Sequence, residues 1–106
     1  MNGQVLKGHL DLLLLAAVSG GPAHGYAIVE QLRERSGGTF DLAEGTVYPA
    51  LHRLERAGLL GSRWSTAGGR RRRVYQLTGR GRAALQAQER EWRRFSSAVA
   101  AVLDGG

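Results

Sequence analysis

Residues 44–58 read EGTVYPALHRLERAG, and residues 59–78 follow at once as LLGSRWSTAGGRRRRVYQLT. In the first stretch Val47, Ala50, Leu51 and Leu54 recur at helical spacing, which predicts a helix over 44–57 with Gly58 as its stop. Pro49 has no backbone N–H to give, so it belongs in the first turn or just after it, with the N-cap within 44–46. In the second stretch, short runs at 59–65 and 73–78 carry Leu, Trp, Val and Tyr. Thr66-Ala67-Gly68-Gly69 and the arginines join them, the pattern of a β-hairpin. Tyr75 and Leu77 share its inner face.

Further helices flank this unit. Residues 7–18 are apolar on every side, which predicts a helix buried all round. One layer of neighbours in so small a chain cannot cover it, so Leu12 and Leu13 are expected to meet a second subunit. Residues 24–35 place Tyr26, Ile28, Val29 and Leu32 on one apolar face, and Gly37-Gly38 ends that helix. His24 opens it as a cap or packing residue. Thr78 is a good N-cap for a last helix running to about residue 103. The reading is α+β, mainly helical: a winged helix-turn-helix with a two-stranded wing over residues 1–78, then a long C-terminal dimerisation helix within 79–106.

The 106-residue chain is one domain by length, small enough that burial at a dimer interface would help it. Its formal net charge is +6, with Lys7 its only lysine, and that excess favours a polyanionic partner. With no cysteine there is no disulfide frame and no thiol chemistry. The apolar run at 12–18 falls short of the roughly 20 residues a transmembrane helix needs, and it lacks the flanks of a signal peptide. A cytoplasmic protein is expected. His9, His24 and His52 stand apart with no paired acid or nucleophile, so no catalytic residue, metal site or cofactor is expected, and an enzyme is not.

Function lies on the outer face of the 44–57 helix. With Val47, Leu51 and Leu54 turned to the core, rotation by about 100° per residue puts Gly45, Thr46, Pro49, His52, Arg53 and Arg56 opposite, with Tyr48 on the flank. Such a face either enters a major groove or is simply solvated, its arginines paired with Glu55 and other acids. The hairpin decides between them. From Gly61 to Arg82 there are seven arginines and no acid. The four adjacent cations Arg70, Arg71, Arg72 and Arg73 cannot all pair internally there, and arginine grips phosphate in bidentate fashion.

His24-Gly25-Tyr26, the run from Glu44 to Glu55 with Ala57-Gly58-Leu59, and Gly69-Arg70-Arg71 leading to Tyr75-Gln76-Leu77-Thr78 together resemble the PadR family of transcriptional regulators. The resemblance covers about residues 10–103. It implies a winged helix whose third helix reads DNA through Thr46, Tyr48 and Pro49, a wing whose arginines also touch DNA, and a C-terminal helix that dimerises. A single short C-terminal helix resembles the compact subgroup.

The last helix carries its own pattern. Leu85, Gln88, Trp92, Phe95, Val99 and Val102 recur every three or four residues, an a/d seam for a partner helix that helix 1 would share. Packing on its own domain is the plainer reading. Trp92 lies mid-seam, where an aromatic is usually core. In multidrug-sensing relatives a tryptophan at the corresponding distance faces its dimer mate across a cavity, which implies that Trp92 and Phe95 flank a slot for a planar aromatic or cationic effector.

The expectation is a sequence-specific duplex-DNA-binding regulator, a repressor that binds a near-palindromic operator as a homodimer and is released by a small planar ligand. A general RNA- or ribosome-binding basic protein would use the same arginines. A ligand sensor that has lost its DNA role would need only Trp92 and the dimer.

Overall fold

Leucine-rich helix α1 (Leu10–Val18) runs through the middle of the molecule because it has apolar residues to offer on several sides. Leu14, Leu15, Ala17 and Val18 are buried, while Leu12 and Leu13 keep part of their surface open. The computed structural model describes residue 6 and residues 8–105. The expected helix start at Lys7 lies outside the described residues, and the helix as described begins at Leu10. Its burial is one-sided rather than all round.

Strand β1 (Ala23–His24) leads directly into helix α2 (Gly25–Arg35), where the His24 side chain caps the helix by accepting from the Ala27 N–H at 3.1 Å. Ile28, Val29 and Leu32 are buried, as their spacing predicts. Tyr26 is not. It is 55% exposed, because it sits in the first turn of α2, on the flank of the Ile28–Leu32 stripe.

Helix α3 (Glu44–Arg56) buries Val47, Ala50, Leu51 and Leu54 against α1 and α2. Its N-cap is Ala43, ahead of the expected 44–46, and Pro49 is therefore the helix's sixth residue. The proline cannot donate to the carbonyl of Gly45, four residues back, but Gly45 is exposed and water can serve that oxygen. Ala43 has no side-chain acceptor, so its backbone carbonyl does the work, accepting from Thr46 and Val47.

Strands β2 (Leu60–Ser65) and β3 (Arg72–Leu77) form the antiparallel hairpin, in register from Leu60 opposite Leu77 to Ser65 opposite Arg72. A 3₁₀ turn at Ala67–Gly69 caps it. The wing is two-stranded, as expected, and a short third strand joins its sheet in the order β1-β3-β2, with Ala23 opposite Tyr75. Tyr75 is buried at the sheet's centre and joins the core.

Helix α4 (Gly79–Leu103) starts with the expected Thr78 cap. The Thr78 hydroxyl accepts from the Gly81 N–H at 3.0 Å and donates to the Gly58 carbonyl at 2.6 Å, tying the start of α4 to the end of α3. Only glycine fits at 81, since a Cβ there would stand 1.9 Å from the Leu59 carbonyl oxygen. Ala84 and Leu85 are partly buried and pack against the chain's own core. Past them α4 runs on beside the start of α1 as far as Trp92 and Phe95, and the molecule extends 55 × 28 × 21 Å. The whole is the α+β winged helix-turn-helix that the spacing predicts.

Candidate nucleic-acid interface

The outer face of α3 is as its periodicity requires: Gly45, Thr46, Pro49, His52, Arg53 and Arg56 are all exposed, and Tyr48 is half-buried on the flank. Tyr48 is held there by α2. A Cβ on Gly25 would stand 2.5 Å from Tyr48 Cε1 and Cζ, so the ring occupies space that only glycine leaves free. This gives a physical meaning to glycine in His24-Gly25-Tyr26, two residues of which also face the wing.

Arg70, Arg71 and Arg73 are exposed and Arg72 is partly covered. With His24, Tyr26, Glu44, Tyr48 and Trp64 they surround an open cleft of about 450 Å³ between the first turns of α3 and the wing. Trp64 organises the arginines. The Arg71 guanidinium lies 4.3 Å and that of Arg73 5.4 Å from its ring centroid, a cation–π arrangement that holds two like charges at one spot.

Arg73 also donates to Ser62 Oγ at 2.9 Å and reaches Glu55 at 3.5 Å, so one member of the run pairs internally, while Arg70, Arg71 and Arg72 have no ion pair among the described residues. Arg72 Nη1 lies 2.6 Å from His24 Nε2. Because His24 Nδ1 accepts from Ala27, the ring's hydrogen belongs on Nε2, where it faces another donor. Burial first, and then the charge of Arg72, hold the His24 imidazole below its ordinary value, which keeps it neutral.

Arg53 has a partner that α3's spacing does not reveal. Its Nη1 and Nη2 donate to the two carboxylate oxygens of Asp11 on α1, at 3.1 and 2.6 Å. That bond raises the guanidinium's pKa further, and both side chains keep solvent contact. Arg56 and His52 have no ion pair among the described residues.

On the far side, α4 exposes a stripe of Trp92 (42%), Phe95 (57%), Val99 (38%) and Val102 (76%). An open groove of about 490 Å³ runs between this helix and the start of α1, with Asp11, Leu12, Gln88 and Glu91 on its walls. His9 meets Trp92 edge-on at 5.0 Å, and Trp92 and Phe95 stand 6.3 Å apart. Leu12 and Leu13 border an adjoining apolar hollow with Phe40.

Tyr26, Trp64 and His24 are the cleft residues that spacing alone did not single out. Their signal was present in the polar tips of Tyr and Trp, which favour half-wet positions over a closed core. Among the described residues no group of three His, Cys, Asp or Glu side chains is placed to hold a metal, and no helix is long and apolar enough to cross a membrane.

The profile of the transcriptional regulator PadR-like family matches residues 14–87. The chain is 43% identical over 67 residues to a transcriptional regulator of Mycobacterium tuberculosis, an overlap of 63% of this chain and 60% of that protein. Its fold is similar to that of a PadR-like transcriptional regulator of Bacillus cereus, with a TM-score of 0.87 and 27% identity over 98% of this chain and 100% of that one. Bacillus subtilis PadR in complex with operator DNA is also similar, with a TM-score of 0.67 and 25% identity over 74% of this chain and 45% of that one.

Proposed function

The chain belongs to the PadR-like family of transcriptional regulators, and from that premise we propose that it is a sequence-specific repressor that binds operator DNA as a homodimer in the cytoplasm. Residues 1–78 are the DNA-binding unit and residues 79–106 the dimerisation segment. Thr46, Tyr48, Pro49, His52, Arg53 and Arg56 of the reader helix α3 enter a major groove. Arg70, Arg71, Arg72 and Arg73 of the wing hold the flanking phosphates.

The single observation that carries this reading is the cleft where Tyr48 of α3 and the four wing arginines share one surface. A reader helix and a cationic wing side by side match the grooves and backbone of a duplex, in which base contacts specify and phosphate contacts position. The exposed stripe of Trp92, Phe95, Val99 and Val102, flanked by Leu12 and Leu13, supports dimerisation. Operator binding by Bacillus subtilis PadR supports duplex DNA over RNA as the partner. A planar aromatic or cationic molecule held between the Trp92 and Phe95 side chains of two subunits releases the DNA.

Competition at fixed salt tests this. A duplex recovered by selection should compete at least about a thousandfold better than random duplex or structured RNA. Equal competition by RNA would instead identify a general basic RNA-binding protein.

A further inference from the structure

Asp11 stands at two sites at once. Its carboxylate accepts from both terminal nitrogens of Arg53 on α3, and the same residue lines the Trp92 groove. We infer that Asp11 couples the two: an aromatic monocation seated against Trp92 takes the Asp11 carboxylate away from Arg53, and DNA binding weakens because Arg53 loses its positioning partner. The inference rests on the proposed reading of α3 as the DNA reader and of the groove as an effector site.

The groove's chemistry selects that class of ligand. Trp92 and Phe95 offer aromatic faces, His9 braces the indole edge-on, and two carboxylates, Asp11 and Glu91, stand on the walls. Glu91 has no ion-pair partner among the described residues, so the groove carries uncompensated negative charge in a strongly basic protein. A cation over an aromatic ring is attracted by the ring's quadrupole as well as by the acids, and an anion is repelled by both carboxylates.

At the other end, a bidentate carboxylate fixes the guanidinium plane, so Arg53 loses less rotamer freedom when it meets a base edge. Asp11 is thus a positioning residue for Arg53. One carboxylate cannot serve two cations fully, and a ligand that takes it favours the state in which Arg53 is loose. Linkage makes the effect reciprocal, so bound DNA lowers the groove's affinity for the cation by the same factor.

The test uses the full chain, benzyltriethylammonium as the cation and N,N-diethylbenzamide as a neutral aromatic of similar size, with total ionic strength held constant. Trp92 fluorescence, taken as the difference from Trp92→Ala, reports the groove, and affinity for a selected duplex reports the reader. The cation should quench Trp92 and weaken duplex binding about fivefold or more, while the amide leaves duplex binding unchanged. Arg53→Ala frees the carboxylate and should tighten the cation, whereas Asp11→Asn should weaken it and bring the coupling below about twofold. Electrostatics alone would move cation affinity in these two directions, so the fall in coupling to the duplex in Asp11→Asn is the readout that a merely structural ion pair would not give. Full coupling in Asp11→Asn, or unchanged cation affinity in Arg53→Ala, overturns the relay alone. No response of Trp92 in the wild type overturns the groove reading and the relay with it.

Discussion

Tyr48 of α3 closes on the backbone of Gly25 so tightly that a Cβ at residue 25 would stand 2.5 Å from its Cε1 and Cζ atoms. The contact sets how α3 meets α2 beside the wing cleft, which Tyr48 helps to line. Gly25→Ala should cost about 1–3 kcal/mol through overpacking and weaken duplex binding as Tyr48 is displaced. Adding Tyr48→Ala should restore much of the stability without restoring DNA affinity, a non-additive pair measurable by denaturant titration. Strict additivity would show that the two residues do not press on each other.

The wing is assigned to phosphates, so its contribution should be electrostatic and indifferent to sequence. Changing Arg71 and Arg72 to Ala should weaken selected and random duplex alike. It should also flatten the slope of log K against log salt by about two units, at roughly 0.9 for each phosphate released. An unchanged slope would place these side chains away from the backbone.

Val99, 38% exposed in the single chain, is expected to be buried in the dimer. Val99→Asp puts an unpaired charge into that seam and should shift sedimentation at micromolar concentration from dimer to monomer. A wild-type monomer at that concentration would contradict the assembly.

His24 gives a pH dependence of defined sign. Its imidazole is held below the ordinary 6.5 by burial and by Arg72, so the unfolded chain takes up the proton first as pH falls. Stability from this group is therefore fully present above pH 6.5 and declines below it, until the folded state is protonated as well. Protonation of Nδ1 would also remove the acceptor for Ala27. His24→Asn keeps a good N-cap and should remove this part of the acid slope in thermal melts. An identical slope in the variant would assign the titration elsewhere.

What the sequence made legible follows from which forces act locally. Val47, Leu51 and Leu54 mark α3 because helical period and burial coincide there, and Thr78 marks α4 because its cap is a side-chain bond to a near neighbour. Strand β1 had no such signal: two residues show no period, and they are a strand only because β3 pairs with them. Ala43 caps α3 through its backbone, which leaves no mark in residue type. Tyr26 was drawn into the core by its hydrophobicity, while its place on the flank of the first turn of α2 leaves it 55% exposed. The Arg53–Asp11 pair joins residues 42 apart in the chain, a separation at which no periodicity argument reaches. Leu85 fits the seam by spacing and is also partly buried against the chain's own core, a contact that spacing along one helix does not show.

The most direct test of the central claim is selection of bound sequences from a random duplex pool by the wild-type protein. The account predicts convergence on a near-palindromic motif whose half-sites lie one helical turn apart, about 10 base pairs centre to centre, or a multiple of that. Arg53→Ala should relax one position in each half-site at a cost of about 1–3 kcal/mol. A pool that fails to converge, with the protein binding every duplex and RNA alike, would contradict the account.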